Sequence, residues 1–413
     1  MGNEQYLKKS LKNVATLVMG QSPPGSTYNE SSEGIPFYQG VRDFGERHPT
    51  RRVYCTAPTR FAKTDDILFS VRAPIGEINR VTEDCSIGRG LAAIRADSYL
   101  DTTYIEYVLR YIRREWEILE GQGAVFGNAK KSDLENLPVP WPGDEKRRAI
   151  AHILGSLDDK IELNRQMNKT LEAMAQAIFK SWFVDFDPVR AKAEGRDPLS
   201  ACNAQAGGLP KDIADLFPDS FEDSEMGEIP KGWEVSTVGD ILELAYGKAL
   251  KASNRRPGTV PVYGSNGRVG WHDEKLVQGP GIVVGRKGNP GIVAWVPTNF
   301  FPIDTTFYVA PKDSAFSILF LFYALQGQNL PSLGADSAVP GLNRNMAYMN
   351  QWVIPPAELV RAFDNKCFPL YDKLQEYNEE SLTLTALRDT LLPKLISGEL
   401  RVPDAEKCVE DLI

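Results

Sequence analysis

The sequence predicts an α+β protein in which two globular mixed α/β domains are separated by two long antiparallel coiled-coil helices. Three observations predict this class. An apolar stripe runs along residues 145–184 at alternating steps of four and three, the spacing of a coiled-coil seam. A second stripe with the same spacing lies 213 residues later. The stretches that precede the two stripes also match each other in order, which indicates an internal pseudo-two-fold repeat.

The two stripes define the helix seams. The first consists of Ile150, Leu154, Leu157, Ile161, Asn164, Asn168, Leu171, Ala175, Ile178 and Trp182. The second consists of Phe363, Cys367, Leu370, Leu374, Tyr377, Ser381, Leu384, Arg388, Leu391 and Leu395. Polar residues in a seam lower stability but fix register. A 40-residue helix is about 60 Å long, which favours a spacer between globular parts over a plain helical hairpin.

Repeated segments divide the chain into four parts. Residues 1–140 and 231–355 are the predicted globular domains, 141–230 a central helical spacer plus linker, and 356–413 a C-terminal helical spacer. The linker prediction rests on residues 197–230, which are rich in Gly, Pro, Asp and Ala. The matched pairs of segments are Leu17–Gly20 with Leu244–Gly247, Ile35–Gly40 with Val260–Ser265, Ile67–Gly76 with Ile282–Gly291, and Ala124–Asn128 with Ala338–Asn343.

Composition indicates a protein of the reducing cytoplasm. Hydrophobic residues make up 42% and charged residues 25% of the chain, as in ordinary globular proteins. No apolar run approaches 18 residues and the N-terminal segment lacks an apolar stretch, so we expect neither a membrane span nor a signal peptide. The five cysteines include no C-x-x-C pair, which argues against a cysteine zinc cluster.

The sequence contains none of the motifs that would indicate an enzyme. The P-loop, the dinucleotide-binding G-x-G-x-x-G after a strand, the G-x-S-x-G elbow and H-E-x-x-H are all missing. Asp185 and Asp187 are expected to end a helix, and Asp158 and Asp159 to lie on a solvated helix face. We therefore predict a non-catalytic chain that holds no cofactor or metal.

Positive charge is concentrated in the globular segments, although the formal net charge of the chain is −8. Residues 1–140 are neutral and 231–355 carry +3, whereas 141–230 carry −6 and 356–413 carry −5. Binding to nucleic acid needs a local basic patch and not a basic total. The acidic total therefore does not exclude DNA as a partner.

Two basic clusters with interleaved aromatic residues lie at matching positions of the two domains. Lys and Arg neutralise phosphates, and Arg or Asn in loops can read base edges. These clusters predict double-stranded DNA as the ligand, read as two unlike half-sites with an unread gap. The candidate DNA-binding residues are Arg42, Arg47, Arg51, Arg52, Arg60, Lys63 and Arg72 in the first domain, and Lys248, Lys251, Asn254, Arg255, Arg256, Asn266, Arg268, Arg286, Lys287 and Arg344 in the second.

Several stretches resemble the specificity subunit of type I restriction-modification enzymes, and the similarity extends over essentially the whole chain. The similar stretches are Asp144–Glu172, Phe183–Lys192, Gly227–Glu234 and Leu391–Leu400. The resemblance implies a non-catalytic subunit whose two target-recognition domains each contact half of a split DNA target. It also implies that the helices form an antiparallel coiled coil that sets the distance between the two half-sites.

Partners follow from the same resemblance. Two modification subunits, which methylate adenine with S-adenosylmethionine, would dock on the helices, and restriction subunits with ATP- and Mg-dependent translocase and nuclease activity would join them. One departure is the Lys-rich start, Tyr6–Lys12, where the second domain has the Pro- and Trp-containing Ile229–Glu234. This departure predicts that the leading edge of the first domain is built differently.

Two other classes of protein remain as alternatives. A two-headed coiled-coil adaptor would grip proteins instead of DNA, and salt-sensitive retention on DNA would distinguish it. A DNA methyltransferase with built-in recognition domains would need an N-P-P-Y-like loop. The nearest stretch, Ser22-Pro23-Pro24-Gly25, lacks the required residues.

Overall fold

The computed structural model describes residues 6–120, 128–198, 209–334 and 341–410 of the chain. The chain divides into two compact units. Unit 1 comprises Met1–Arg165 with Asn378–Ile413, and unit 2 comprises Gln166–Tyr377. Within the described ranges, no helix combines the length and the apolar character needed to cross a membrane.

Unit 1 is a mixed domain followed by part of a long helix. Its strands are β1 (Lys8–Ser10), β2 (Thr16–Met19), β3 (Tyr28–Asn29), β4 (Ile35–Tyr38), β5 (Tyr54–Cys55), β6 (Phe61–Ala62), β7 (Ile67–Ser70), β8 (Ile78–Arg80), β9 (Cys85–Ile87), β10 (Leu91–Arg95) and β11 (Pro138–Pro140). Its first helices are α1 (Tyr99–Glu120) and α2 (Lys131–Glu135), and α3 (Asp144–Phe183) begins in unit 1 and ends in unit 2.

The remaining helices and strands lie in unit 2 and in the C-terminal stretch of unit 1. The helices are α4 (Asp187–Ala193), α5 (Lys211–Ala214), α6 (Val238–Ile241), α7 (Ile318–Gln326), α8 (Arg344–Met349), α9 (Ala357–Ser397) and α10 (Val402–Glu410). The strands are β12 (Phe221–Ser224), β13 (Gly227–Pro230), β14 (Glu234–Thr237), β15 (Leu242–Tyr246), β16 (Val260–Gly264), β17 (Gly267–His272), β18 (Gly281–Gly285), β19 (Val293–Val296), β20 (Phe301–Pro302), β21 (Thr306–Pro311) and β22 (Gln351–Ile354).

The sheets confirm the predicted internal repeat. Unit 1 contains an antiparallel sheet in the order β2-β10-β7-β8, and unit 2 contains β15-β21-β18-β19 in the same order. In each unit a parallel pair, β4 with β9 and β16 with β20, forms part of a second sheet. The two units therefore share a scaffold despite weak sequence similarity.

The leading edges of the two units share one strand pair but also differ, because Ile229 and Pro230 of unit 2 belong to the β12–β13 hairpin and no hairpin precedes β1 in the described part of unit 1. β1 pairs antiparallel with β11, and β14 pairs antiparallel with β22. Each pair lies just ahead of a long helix. Strand pairing uses backbone groups, so the lysines of Tyr6–Lys12 can occupy a strand where the other unit has different side chains.

Close backbone contacts require glycine at one equivalent position in each unit. Gly20 N donates to Leu91 O at 2.9 Å, and Gly247 N donates to Thr306 O at 3.1 Å. A Cβ at Gly20 would overlap a backbone carbonyl oxygen, that of Gly88, and a Cβ at Gly247 would overlap the Ile303 carbonyl oxygen. The same steric restriction thus recurs where β2 and β15 end.

The long helices agree with the sequence periodicity to within one residue at each end of α3 (predicted 145–184, observed Asp144–Phe183). Seam residues are buried in the core of each unit. In unit 1 these are Ile150, Leu154, Leu157, Ile161, Asn164, Leu384, Leu391 and Leu395, and in unit 2 they are Ala175, Ile178, Trp182, Phe363 and Cys367. The predicted seam residues that are only partly buried are Asn168, Leu171, Leu370, Leu374, Tyr377, Ser381 and Arg388.

Within each unit the two long helices run antiparallel. In unit 1, Asn164 Nδ2 donates to Glu380 Oε2 at 2.7 Å and to Ser381 Oγ at 3.3 Å. In unit 2, the ring of Phe363 packs edge-on against that of Phe179, with centroids 5.7 Å apart. The polar seam position Asn164 is therefore satisfied by side chains of α9.

Asp158 is buried, which corrects the expectation of a solvated face. It is 4% exposed and accepts hydrogen bonds from Tyr107 Oη (2.7 Å) and Arg110 Nη1 (2.9 Å). Arg388 of α9 donates to its other carboxylate oxygen at 2.5 Å. The hydrogen bond to Asp158 explains why a cation, Arg388, interrupts the second apolar stripe. Two guanidinium groups outweigh the effect of burial and lower the pKa of Asp158.

The predicted linker is folded in the part that the structure describes. Residues 209–230 include α5 and the β12–β13 hairpin. Leu209, Phe217 and Ile229 are buried in unit 2, and the Phe217 ring contacts that of Trp182 with centroids 5.6 Å apart. Residues 199–208 lie outside the described residues.

Candidate nucleic-acid interface

Most cations of the first basic cluster pair with carboxylates on the surface of unit 1. The pairs are Arg42 and Arg52 with Asp43, Arg51 with Glu83, and Lys63 with Asp84. The cationic side chains in these pairs remain between 47% and 63% exposed. Exposed ion pairs contribute only about 0–1 kcal/mol, so a phosphate can replace Glu83 or Asp84 at small cost. The Asp43 carboxylate is only 4% exposed, and this argument does not apply to its two pairs.

Arg47 lies inside unit 1 and not on the exposed surface that its place in the basic cluster predicts. Its side chain is 13% exposed, and Nη2 lies 2.7 Å from Asp159 Oδ1 on α3. Asp159 is itself 63% exposed, as expected of a solvated helix face. The guanidinium joins a loop to the long helix.

Three exposed arginines of unit 1 have no carboxylate partner among the described residues: Arg60, Arg72 and Arg89. Arg72 and Arg89 line a cleft of about 480 Å³ together with Arg42, Ser22 and Gln39. The cleft is formed by the loops after β2, β4, β7 and β9. Four loops thus bring three guanidinium groups around one depression.

Arg72 and Lys287 occupy equivalent places in the two units. Arg72 forms an isolated antiparallel bridge with Asn128, and Lys287 forms one with Gly341. Both residues follow the equivalent strands β7 and β18, and both are exposed. The backbone bridge fixes the main chain at each of these two exposed cations. The stretches that precede Asn128 and Gly341, residues 121–127 and 335–340, lie outside the described residues.

Arginines stack on exposed aromatic rings in unit 2. The guanidinium groups of Arg286 and Arg344 lie 4.9 and 4.8 Å from the centroid of Tyr246. Arg268 lies 4.7 Å from the Trp271 ring. Tyr246 and Trp271 are 51% and 47% exposed. Each ring therefore orients a cation without neutralising it.

The other predicted residues of unit 2 differ in their surroundings. Lys248, Lys251 and Lys287 are exposed and have no carboxylate partner within the residues that the structure covers. Arg256 pairs with Asp273 (2.7 Å) and Glu274 (2.5 Å). The remaining members are Arg255, whose Nη1 donates to Val269 O, Asn254, which is exposed, and Asn266, whose Oδ1 accepts from Asn289 Nδ2 at 2.7 Å.

Sequence inspection missed Arg89, Tyr246 and Asp304. Arg89 is 26 residues beyond the first basic cluster and becomes its neighbour only through the parallel pairing of β4 with β9. The repeat aligns Arg89 with Asp304 at an offset of 215, and since neither residue lies in a basic cluster, this alignment gives no signal for either. Tyr246 carries no sequence signal beyond being aromatic.

The surfaces can bind phosphates and read base edges. Arginines presented in a cleft match the geometry of guanine edges and phosphates. Exposed tyrosine and tryptophan rings with stacked guanidiniums provide additional contacts for nucleotides. Among the described residues, no group of three or more His, Cys, Asp or Glu side chains is arranged to hold a metal ion.

Comparison with known proteins gives one consistent family. The model of the type I restriction modification DNA specificity domain matches residues 3–173 and 230–345. The putative type I restriction enzyme MjaX specificity subunit of Methanocaldococcus jannaschii is 40% identical to this chain over 179 residues. The matched region covers 43% of this chain and 40% of that subunit. The type I restriction enzyme HindI specificity subunit of Haemophilus influenzae is 28% identical over 68% of this chain and 73% of its own.

A crystal structure of the type I restriction-modification system S subunit from M. genitalium shares the fold. It superposes with a TM-score of 0.57 and covers 96% of this chain and 97% of that one, at 19% sequence identity. The matched family regions include both globular domains and the first part of α3. The chain belongs to the type I restriction-modification DNA specificity family and has the target-recognition role of its specificity subunits.

Proposed function

We propose that this specificity subunit reads a bipartite, asymmetric double-stranded DNA target, with one half-site on each unit. The observation that carries the proposal is the shared scaffold with unlike side chains at equivalent loop positions. Arg72 corresponds to Lys287, and Met19, which ends β2, corresponds to Tyr246, which ends β15. Because the scaffold is the same and the side chains differ, the two half-sites differ in sequence.

The long helices are proposed to set the gap between the half-sites. α3 and α9 each contribute one part to unit 1 and the other to unit 2. Helices of 40 and 41 residues are each about 60 Å long. This length exceeds one 34–36 Å turn of DNA, so a gap of unread base pairs fits between two reading surfaces.

Catalysis is proposed to reside on partner subunits. The HindI relative is named as a specificity subunit of a type I restriction enzyme. We propose that two modification subunits dock on the helical part of this chain and that restriction subunits complete the assembly. S-adenosylmethionine, ATP and Mg would then be bound by those partners, and this chain would supply recognition without a cofactor.

A salt titration tests DNA binding by the full chain. Binding to a duplex that contains the target should weaken as salt increases, because cations that contact phosphates release counterions. Arg72→Ala and Lys287→Ala should each lower the slope of log K against log salt by about one if the cation contacts a phosphate. Lys231→Ala, an exposed lysine of the β13–β14 connection, is the control and should leave the slope unchanged.

Methylation sequencing tests the target. The chain is co-expressed with its modification subunit, and the adenine methylation of the host DNA is sequenced. A new bipartite motif of two unlike halves that appears only with this chain is the expected result. Formation of the complex without any new methylated motif would refute recognition by these two domains.

A further inference from the structure

Position 89 of unit 1 and position 304 of unit 2 occupy the same place in the repeated scaffold. Gly88 N donates to Tyr38 O at 2.8 Å, and Ile303 N donates to Tyr263 O at 2.9 Å. These hydrogen bonds join the ends of the equivalent parallel pairs, β4 with β9 and β16 with β20. The residue before each position is therefore fixed in the same way.

The residue after each position is fixed equally. Val71 N donates to Gly90 O at 2.9 Å, and Arg286 N donates to Thr305 O at 2.9 Å. Because hydrogen bonds hold the residues on both sides, Arg89 and Asp304 occupy equivalent backbone positions in the two units. They differ in the sign of their charge.

Both side chains are exposed beside cations of the candidate interface. Arg89 lines the cleft with Arg42 and Arg72. Asp304 is held next to Arg286, whose Nη1 donates to the Asp304 backbone oxygen at 2.8 Å. The Asp304 carboxylate forms no salt bridge within the described residues. A free carboxylate at a surface that binds DNA repels phosphates, so phosphate binding does not explain its presence.

Base chemistry accounts for the opposite charges. A guanidinium donates two hydrogen bonds to O6 and N7 of guanine, whereas a carboxylate accepts from the N4 amino group of cytosine. We propose that Arg89 and Asp304 are the equivalent base-reading residues of the two units, and that Arg89 selects guanine in one half-site and Asp304 selects cytosine in the other. The proposal rests on the bipartite DNA recognition proposed above.

Selection from randomised duplex DNA tests the assignment. The full chain is immobilised, bound duplexes are sequenced, and the motif of the wild type is compared with those of Asp304→Asn and Asp304→Ala. Asparagine is nearly isosteric and pairs with N6 and N7 of adenine. In one half-site, Asp304→Asn should shift one position from cytosine to adenine, and Asp304→Ala should lose about 5- to 150-fold of discrimination there. The other half-site should not change.

The first unit provides the reciprocal measurement. Arg89→Ala should remove a guanine preference from the other half-site, and Arg89→Lys should retain part of it because the charge remains. Asp223→Asn, which neutralises an exposed carboxylate on β12 of the same unit as Asp304, is the matched control and should leave the motif unchanged.

Four outcomes would overturn the assignment. If Asp304→Asn raises the affinity for all sequences alike with the motif unchanged, the carboxylate is only repulsive. If Arg89→Ala weakens binding without relaxing any position, Arg89 contacts a phosphate. If the wild type enriches no bipartite motif, the proposed recognition fails together with this assignment, whereas an intact wild-type motif with unresponsive variants refutes the assignment alone.

Discussion

At the residue scale, the buried carboxylate of Asp158 is the most consequential side chain of unit 1. It joins α1, α3 and α9 through Tyr107, Arg110 and Arg388. The sequence predicted that Asp158, together with Asp159, lies on a solvated helix face. The partners that bury it lie about 50 and 230 residues away, so no local pattern reveals them.

Asp158→Asn should destabilise unit 1 strongly. The substitution keeps the shape but removes the charge that Arg110 and Arg388 share, so that they retain only Glu106 and Asp389 as ion-pair partners. Breaking a buried ion pair costs about 3–5 kcal/mol. Urea unfolding measures the loss. The control is Glu145→Gln on the exposed first turn of the same helix, where at most about 1 kcal/mol is expected. Equal effects of the two substitutions would contradict the role given to Asp158.

Asp364 is a second carboxylate in an unusual environment, and it makes stability depend on pH. Burial raises its pKa to about 6, although the hydrogen bond from Ser317 Oγ opposes the shift. The folded state then binds a proton more readily than the unfolded state. The stability of unit 2 should therefore fall as pH rises from about 4 to about 6 and change no further through this group above pH 6.

Asp364→Asn should remove this dependence. The amide oxygen can still accept from Ser317, and no charge has to be desolvated. The variant should thus gain thermal stability relative to the wild type at pH 8 and lose that advantage at pH 4. The gain is at most about 3 kcal/mol and smaller after solvent screening, because the side chain is only half-buried. A difference in melting temperature that is constant across this range would refute the shift.

At the element scale, the sequence predicted the long helices well and the connecting segments poorly. The seam of α3 follows a periodicity that depends on local geometry, so Asp144–Phe183 lies within a residue of the predicted bounds. Residues 209–230 were predicted to be linker because Gly, Pro and Asp favour turns. Burial of Phe217 against Trp182 is a tertiary contact that this composition does not encode.

The basic clusters show the same division. Their positions in the repeat were predictable, but the role of each cation was not. Arg47 forms an ion pair with Asp159, whereas Arg89, which is outside the cluster in the sequence, lines the cleft. Both facts follow from which loops the sheets bring together, and sequence order does not give that pairing.

Two glycines test whether the repeat imposes equal steric demands on both units. Gly20→Ala and Gly247→Ala should each destabilise their unit by about 1–3 kcal/mol, because the new Cβ overlaps a backbone carbonyl that cannot easily move. Gly25→Ala is the control, since a Cβ there meets no atom within 4 Å. Thermal unfolding of the three variants provides the comparison. Tolerance at either position would show that the strand end is less restricted than its contacts indicate.

At the scale of the whole molecule, the proposed spacing role of α3 and α9 predicts that shortening both helices changes the gap between the half-sites. The bases that are read should stay the same. Removing one turn, four residues, from each of α3 and α9 shortens each helix by about 6 Å. The preferred gap should shrink by about two base pairs, at about 3.4 Å per pair. Selection from duplexes with graded gaps measures it. An unchanged gap in a folded variant would refute the spacing role.

Unit 1 is assembled from two distant stretches of chain, whereas unit 2 is one continuous stretch. During synthesis the ribosome therefore delivers all of unit 2 before it delivers the last stretch of unit 1. Until then Leu154 and Leu157 lack the apolar residues Leu391 and Leu395, and Asp158 lacks Arg388. The domain that is translated first is completed last, so newly made chains spend their final period of synthesis with a carboxylate that lacks one of its two arginine partners and with an open apolar helix face.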